Sequence, residues 1–481
     1  MNIRLVANLL GKESIFIGFA MLMPLSVCVY YGESDATKAF VAGIGACILT
    51  GMFLNHFSRH PTGDLRHREG FLFVSLAWTL AGVIGAAPFW FSGYFPSYMD
   101  ALFETISGFT TTGASVLTDI EALPHGLLIW RSLTQWMGGM GIIVLTIAVL
   151  PFLKVGGMQI FRAESPGPTM DKLKPRIAQT AKLLWGIYVG VTLTLVLLLA
   201  IGGMDFFDAV CHAFATMATG GFSPRNTSIA SYHSVYIDTV ITIFMLIAGV
   251  NFALHYAGLR GDVKRYFKSQ EFRWYMGIFF LGCLFILWNT RHCFDSLFQA
   301  TQYVTFQVAS ILTTTGFATC DYVFWPVAAQ IMLLGFMVVG GCAGSTAGGL
   351  KVMRLGILFR YAHREILRLI HPNAIISIKW ENSPVSQDIL QAILGFFVFY
   401  TILFVSASLI MGMLGLDFVT AVSSVIACMS NIGPGLAGVG PVENYAHIPG
   451  IGKAVLSFCM IAGRLEIYTV LVVLSPAFWR M

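Results

Sequence analysis

The feature that most constrains this chain is a succession of long apolar runs. A helix needs about 20 apolar residues to cross the hydrocarbon core of a bilayer, and ten runs of that order occur. The tenth contains Arg464 and Glu466 but is long enough and is bracketed by Lys453 and Arg480. The ten predicted spans are Ile15–Tyr31, Ala39–Ser58, Phe71–Met99, Ser132–Leu153, Leu183–Met204, Thr239–Leu259, Trp274–Thr290, Tyr322–Leu350, Ile389–Leu416 and Ala454–Trp479.

Composition supports the same class of protein. Of the 481 residues, 56% are hydrophobic and only 11% are charged, whereas soluble domains average about 25% charged residues. This excludes an ordinary soluble enzyme, a disordered protein and a secreted disulfide scaffold. The nine cysteines show no CxxC or metal-ligand spacing, so we expect buried free thiols.

Lysine and arginine are distributed unequally between alternate loops. With a cytoplasmic N-terminus, the inward loops contain the basic segments Lys154–Lys182, Arg260–Arg273 and Lys351–Lys379. The outward loops hold only Lys38, Arg225 and Arg291, with Arg131 and Lys453 at their borders. Cytoplasmic loops carry the excess of basic residues in membrane proteins. The pattern therefore predicts that both termini face the cytoplasm.

Four further uncharged stretches do not behave as spans. A full crossing at any of them would invert every later loop and remove the basic asymmetry. Each begins near an acidic residue and ends in small polar residues and glycine, and non-helical backbone at membrane depth requires surrounding protein or water. We interpret each as a half-helix that enters from outside and returns as a loop. The stretches are Thr105–Thr118, Ala209–Pro224, Ser296–Cys320 and Phe418–Val442.

The chain is therefore a repeat of span, half-helix, glycine-ended loop and span, which occurs four times. The loop glycines are 108, 95 and 117 residues apart. We predict an all-α polytopic membrane protein in which two leading spans precede four repeats around a pseudo-fourfold pore. The predicted units are residues 1–69 for the leading spans and 70–155, 175–270, 271–370 and 385–481 for the repeats.

Such a geometry suits a cation. Backbone carbonyls from four loops can replace the water around an ion, and half-helices entering from outside point their negative C-terminal ends at the membrane centre. Glycine permits the positive φ that turns a carbonyl inward. Close helix packing by small residues is the alternative, but four equivalent loops favour an ion filter.

The loop sequences TTTGAS, TGGFS, TTTGF and SNIGPG resemble the Trk/Ktr/HKT superfamily of cation transporters, and within it the bacterial Trk-type potassium-uptake proteins. The resemblance covers nearly the whole chain. It implies K⁺ uptake, with K⁺ as the transported ion, no organic cofactor, and no enzymatic activity. The implied K⁺ filter residues are Thr111, Thr112, Gly113, Gly220, Gly221, Thr315, Gly316, Ile432 and Gly433.

One filter position supports K⁺ selectivity, and two others depart from the family pattern. Family members with serine at the first filter glycine tend to admit Na⁺, and this chain has Gly113. Gly220 and Ile432 stand where the other two loops have threonine. A fourfold threonine ring is absent, so the resemblance leaves room for a looser selectivity.

The resemblance also implies partners and a location. It implies a homodimer in the bacterial inner membrane and a cytoplasmic nucleotide-binding regulatory subunit of the TrkA type. The three basic inward segments offer docking surface for such a subunit, although positive-inside charge alone would produce them.

The last part of the predicted span Tyr322–Leu350, in the third repeat, has a composition that disfavours a helix. Five glycines and two hydroxyl residues lie within Val339–Gly349, and each glycine costs about 1 kcal/mol in a helix. A phosphate-binding loop fails because Leu350 separates glycine from Lys351. A helix-packing motif is the alternative to our preferred interpretation, an unwound gate below the filter. The predicted gating residues here are Gly344, Ser345, Thr346, Gly348, Gly349 and Lys351.

Arg464 lies within the last apolar run, where a charge costs several kcal/mol unless it faces a partner or a cavity. A local ion pair with Glu466 fails, because residues two apart lie on different faces of a helix. We expect a pore-facing arginine that limits cation leak, and the family has an arginine there too.

Two rival functions remain. An alternating-access porter that couples cation entry to protons needs ionisable residues at the membrane midplane, and Arg464 is a poor proton carrier. A membrane enzyme needs a catalytic constellation, and the sequence shows none.

Overall fold

The computed structural model describes residues 1–58, 66–148, 173–374, 376–381 and 383–480. The described chain is mostly helical, which confirms the predicted all-α class. A single short antiparallel pair, β1 (Lys379–Trp380) with β2 (Ser383–Pro384), is the exception within these ranges.

The N-terminal part forms a hairpin ahead of the repeats. Its helices are α1 (Ile3–Ala20), α2 (Leu22–Tyr31) and α3 (Ser34–Phe57). The first two form one apolar stretch of 29 residues that is long enough to span a membrane. The hydroxyl of Ser14 donates to the Cys47 carbonyl at 2.7 Å and ties the two arms together.

The remaining helices follow the order of the predicted repeats. Those of the first repeat are α4 (His67–Gly85), α5 (Ala87–Phe91), α6 (Tyr98–Phe109) and α7 (His125–Ala148). Those of the second are α8 (Leu173–Ile201), α9 (Phe206–Met217), α10 (Val235–Ala248), α11 (Phe252–Leu259) and α12 (Lys264–Lys268). Those of the third are α13 (Gln270–Thr290), α14 (Leu297–Leu312), α15 (Val327–Val339) and α16 (Val352–Ile370). Those of the fourth are α17 (Gln387–Met413), α18 (Phe418–Met429), α19 (Gly450–Arg464), α20 (Tyr468–Leu474) and α21 (Pro476–Trp479).

The four short helices α6, α9, α14 and α18 are packed in a cycle. Each lies against the helix that follows the glycine loop of the preceding repeat: α7 packs on α9, α10 on α14, α15 on α18, and α19 on α6. Two apolar cores fill the space between them. One joins the N-terminal hairpin with the first and fourth repeats, and the other joins the second and third. The repeats therefore surround a common centre.

Six predicted spans overlap helices long and apolar enough to cross a membrane. The span Phe71–Met99 was predicted too long, because this helix ends at Phe91 and Tyr98 already begins α6. Ser132–Leu153 begins inside α7, but its residues 149–153 lie outside the described ranges, as does most of the basic segment before Lys182. Tyr322–Leu350 is an α-helix only over Val327–Val339, after a short 3-10 turn at Tyr322–Phe324. The remaining two spans are those that follow the second and fourth loops.

Both of those spans are bent rather than straight. The chain turns by 103° between α10 and α11 and by 116° between α19 and α20. The first bend follows Gly249, and Asn251 caps α11 by accepting from the Ala253 amide at 2.8 Å. At the second, Glu466 adopts a positive φ of 62°. A hydropathy window reads composition only, so it merged each bent pair into one span.

The half-helices begin at side-chain caps. The residues Ser97, Asp205, Ser296 and Asp417 each accept a hydrogen bond from an amide in the first turn, which satisfies one donor at each N-terminus. The first half-helix begins at Tyr98, two residues before Asp100, the acidic residue near which the sequence predicted its start. The carboxylates of Asp100 and Glu104 in this helix are buried against Lys453 and Arg131, so the uncharged stretch Thr105–Thr118 covers only its second half.

Candidate functional site

Four loops with the same backbone conformation follow the four half-helices. The second residue after each half-helix has a φ of 53° to 59° and the fourth, a glycine, has a φ of 77° to 95°. The left-handed region is costly for residues other than glycine. The residues of the first set are Thr111, Thr219, Thr314 and Asn431, and those of the second are Gly113, Gly221, Gly316 and Gly433.

The four loops meet in a closed ring. A Cβ atom built on any of the four glycines would lie less than 3.0 Å from a carbonyl oxygen of the next loop. In each case that oxygen belongs to the residue before the next glycine. The pairs are Gly113 with Gly220, Gly221 with Thr315, Gly316 with Ile432, and Gly433 with Thr112. Eight of the nine predicted filter residues therefore form the junctions of one backbone ring, and the ninth, Thr111, directly precedes Thr112.

The carbonyls at these junctions are not equivalent. Within the described ranges no donor lies on the oxygens of Thr112, Thr315 or Ile432, whereas the Gly220 oxygen accepts from Nε2 of Gln135 at 2.6 Å. The same glutamine accepts the Phe222 amide through Oε1 at 3.1 Å. Three carbonyls are thus free to bind an ion, and the fourth is shared with a side chain.

Hydroxyl groups behind the loops form matched pairs. Thr110 and Thr112 lie 2.8 Å apart through their Oγ1 atoms, and Thr313 and Thr315 do the same at 2.8 Å. In the fourth loop Asn431 donates from Nδ2 to the Thr112 hydroxyl at 2.9 Å. The first, third and fourth loops are therefore held through side chains of the loops themselves.

A fully buried ion pair fixes the outer side of the first two loops. Glu104 of α6 accepts from Nε of Arg131 at 2.8 Å and from the Val116 amide at 2.9 Å. Arg131 donates to the Ser223 carbonyl at 3.0 Å and covers the ring of Phe222 at 4.2 Å. The pair thus joins two neighbouring repeats.

The second loop is also pinned to its own half-helix. His212 contacts the Ser223 hydroxyl at 3.0 Å and the Asp208 carbonyl at 2.8 Å through its two ring nitrogens. On the outer loop, a hydrogen bond with Asp208 holds the pKa of the Arg225 guanidinium above its ordinary value. His212 is a bonded core residue, not a free proton carrier.

The third repeat is unwound directly beneath this ring. Helix α15 ends at Val339 and α16 begins at Val352, with positive φ at Gly340, Gly344, Gly349 and Lys351. The glycine-rich sequence predicted a break in this segment. Here it separates two helices and is buried, with Ser345 and Thr346 at most 1% exposed.

The unwound segment binds the inner ends of the half-helices. The Thr346 hydroxyl lies 3.0 Å from the Met217 carbonyl of α9. The Gly348 amide donates to the Thr314 hydroxyl at 2.6 Å, and the Gly349 amide to the Ser430 carbonyl at 3.1 Å. Segment 340–351 therefore lies where the negative ends of three half-helices converge, on the inner side of the ring.

Arg464 ends α19 and reaches this segment. Its Nη1 donates to the Thr346 carbonyl at 2.7 Å, and within the described chain its Nε and Nη2 have no partner. Glu466 points elsewhere and pairs with Arg354 of α16. The two residues do not pair, but the reason is that the helix ends at Arg464, not that they lie on different faces of one helix.

Sequence reasoning missed several residues that hold the ring. Gln135, Glu104 and Arg131 were not identified, although each is a polar residue next to or inside an apolar stretch. Tyr445, which donates to the Gly433 carbonyl at 2.7 Å, lies in an outer loop that gave no signal. The usable signal was the isolated Gln135 in a charge-free run.

Fold and site together define a polytopic helical membrane protein built around a ring of four carbonyl-bearing loops. The family described as "TrkH: Cation transport protein" matches residues 36–481. The Trk system potassium uptake protein TrkH of Escherichia coli K12 is 43% identical over the full length of both chains. The chain belongs to the TrkH family of cation transport proteins.

Two further comparisons agree with this assignment. The Trk system potassium uptake protein TrkG of Escherichia coli K12 is 34% identical, covering 100% of this chain and 99% of the relative. The crystal structure of the potassium transporter TrkH from Vibrio parahaemolyticus superimposes with a TM-score of 0.92 at 37% identity, over 100% of both chains.

Proposed function

We propose that this chain carries K⁺ across the bacterial inner membrane into the cell through the ring of four loops. The observation that carries this proposal is the closed ring of contacts between the loops. Each filter glycine lies against the carbonyl oxygen of the residue that precedes the filter glycine of the next loop. The relatives named above are potassium uptake proteins of the Trk system, which identifies the ion.

The physical argument concerns dehydration. An ion that enters the membrane loses water and needs oxygen ligands, and the junction carbonyls supply them without a fixed charge. The four half-helix C-termini add negative potential at the same place. Thr111, Thr112, Gly113, Gly220, Gly221, Thr315, Gly316, Ile432 and Gly433 are the residues to which we assign the filter.

Segment 340–351 acts as the gate in this proposal. It occupies the inner side of the ring through contacts of Thr346, Gly348 and Gly349 with three repeats. Arg464 holds it in place and adds positive charge on the ion path. This conformation is closed, and opening requires these hydrogen bonds to break together.

The proposed gate is continuous with helix α16, which a partner protein can displace by binding to it. Helix α16 begins immediately after Lys351 and carries the basic residues of the inward segment. We propose a homodimer with both termini in the cytoplasm, regulated by a TrkA-type nucleotide-binding subunit that docks on the inward loops. The relatives' Trk system name supports a multicomponent system.

Flux measurements test the ion assignment. The full-length chain in liposomes is expected to pass Rb⁺ faster than Na⁺, and Gly113→Ser is expected to reduce this preference, since Gly113 has a φ of 80° and faces the Gly220 carbonyl. Gly93→Ser is the matched control, because Gly93 has a φ of 76° with no atom near its Cβ position. Equal Rb⁺ and Na⁺ flux in the unaltered protein would refute the proposal.

Single-channel recording separates this function from the porter. A channel gives unitary openings, whereas an alternating-access porter gives none. Proton-coupled uptake without unitary currents would favour the porter.

A further inference from the structure

The second loop has Gly220 before its filter glycine, where the first and third loops have the threonines Thr112 and Thr315. Gln135 of α7 occupies the space behind it: a Cβ built on Gly220 would lie less than 3.0 Å from three atoms of the Gln135 amide. Gln135 is fully buried. An added side chain at position 220 and the glutamine at position 135 therefore compete for the same volume.

The two hydrogen bonds of Gln135 fix its orientation and the loop. Only its NH₂ group can donate to the Gly220 carbonyl, and only its oxygen can accept the Phe222 amide. The glutamine therefore bridges the peptide groups on both sides of Gly221. These bonds set the direction of the Gly220 carbonyl and occupy part of its acceptor capacity.

The other repeats have methionine at the equivalent position. The eleventh residue of α7 is Gln135, and the eleventh residues of α10, α15 and α19 are Met245, Met337 and Met460, all buried. Gly138 and Gly463, three residues further on in α7 and α19, both face the carbonyl at the end of a half-helix, which confirms the register of these two helices. The polar residue therefore lies behind the one loop whose filter glycine follows another glycine.

We propose that Gln135 is a specificity-determining residue, which replaces the missing threonine of the second loop and sets the position and strength of its carbonyl ligand. This rests on the proposed function. A carbonyl that already accepts a hydrogen bond is a weaker ligand, and a pinned loop cannot contract around a smaller ion. Both effects disfavour Na⁺ relative to K⁺.

Exchanging the two residues tests this assignment. In full-length protein in liposomes, Gln135→Met is expected to lower the ratio of Rb⁺ to Na⁺ flux about fivefold, the factor that one hydrogen bond corresponds to. Gly220→Thr alone is expected to reduce flux by collision with Gln135. The double variant Gln135→Met with Gly220→Thr gives the second loop the same two residue types, by register, as the third loop has in Met245 and Thr315. It is expected to restore the ratio to within about twofold of the parent.

The flux ratio does not depend on the amount of protein, so it separates specificity from stability. Gln330→Met is the matched control, since Gln330 also donates two hydrogen bonds to backbone carbonyls, at 2.7 and 2.9 Å, but outside the ring. An unchanged ratio in Gln135→Met, an equal change in Gln330→Met, or a double variant less selective than either single variant would each overturn the assignment. Failure of the proposed function is a different result, namely a parent protein without preference for Rb⁺.

Discussion

The guanidinium of Arg464 donates to the carbonyl oxygen of Thr346 at 2.7 Å and so joins the fourth repeat to the unwound segment of the third. Two residues later the chain pairs Glu466 with Arg354, at the start of α16. The bend between α19 and α20 therefore contacts the unwound segment and also the helix that follows it. A hydrogen bond and an ion pair from the fourth repeat therefore hold the segment that we assign as the gate and the helix that follows it.

Removing the hydrogen bond between Arg464 and Thr346 is expected to open the ion pathway. A hydrogen bond from a charged group contributes about 1.5–3 kcal/mol, so Arg464→Ala is expected to raise Rb⁺ leak by roughly tenfold or more. The loss of positive charge acts in the same direction. Liposome flux without any partner subunit measures the leak.

Arg291→Ala is the control for this change, because Arg291 is exposed and its Nε donates to the ring of His292 rather than to segment 340–351. Unchanged flux together with a loss of folded protein in Arg464→Ala would assign the arginine a structural role instead.

The glycines of the segment are expected to act on conduction more than on folding. A Cβ on Gly348 would collide with the Ser430 carbonyl, so Gly348→Ala displaces the segment from the fourth loop. We expect a several-fold change in Rb⁺ flux at nearly constant abundance. Gly335→Ala in α15 is the matched control, since no atom lies within 4 Å of its Cβ position. Parallel losses of flux and abundance in Gly348→Ala would favour a packing motif.

The sequence predicted features that depend on local backbone chemistry. Glycines 113, 221, 316 and 433 were identified because a positive φ selects glycine, and the break after Val339 because a helix cannot absorb so many glycines. These signals are contained in a few neighbouring residues.

Features that depend on distant contacts could not be predicted. The bends after Ala248 and Arg464 are stabilised by partners such as Thr346 and Arg354, which lie more than a hundred residues from Arg464 and Glu466. The pairing of Glu104 with Arg131 was missed because the two residues lie 27 positions apart and meet only in the folded chain. Gln135 was missed because its role depends on a space that Gly220 leaves on another repeat.

The four filter glycines are expected to differ in their tolerance of alanine. The Cβ position on Gly433 lies 2.7 Å from the Thr112 carbonyl, the longest of the four distances at the junctions. A smaller displacement therefore relieves the collision at Gly433. Gly433→Ala is expected to retain several-fold more Rb⁺ over Na⁺ selectivity than Gly316→Ala, measured as a flux ratio in liposomes. Equal loss of selectivity in both variants would contradict this ranking.

The buried pair of Glu104 and Arg131, which joins the first two repeats, is expected to contribute strongly to the stability of the protein. Both side chains are at most 1% exposed, and removing one partner of such a pair costs about 3–5 kcal/mol because the other charge stays buried. Arg131→Met is therefore expected to lower the thermal unfolding temperature in detergent by several degrees. Adding Glu104→Gln removes the stranded charge and should recover part of the loss. Lys38→Met is the control, since its pair with Asp35 is about 80% exposed and surface pairs contribute about 0–1 kcal/mol. If Lys38→Met lowers the unfolding temperature as much as Arg131→Met does, burial is not the cause of the effect.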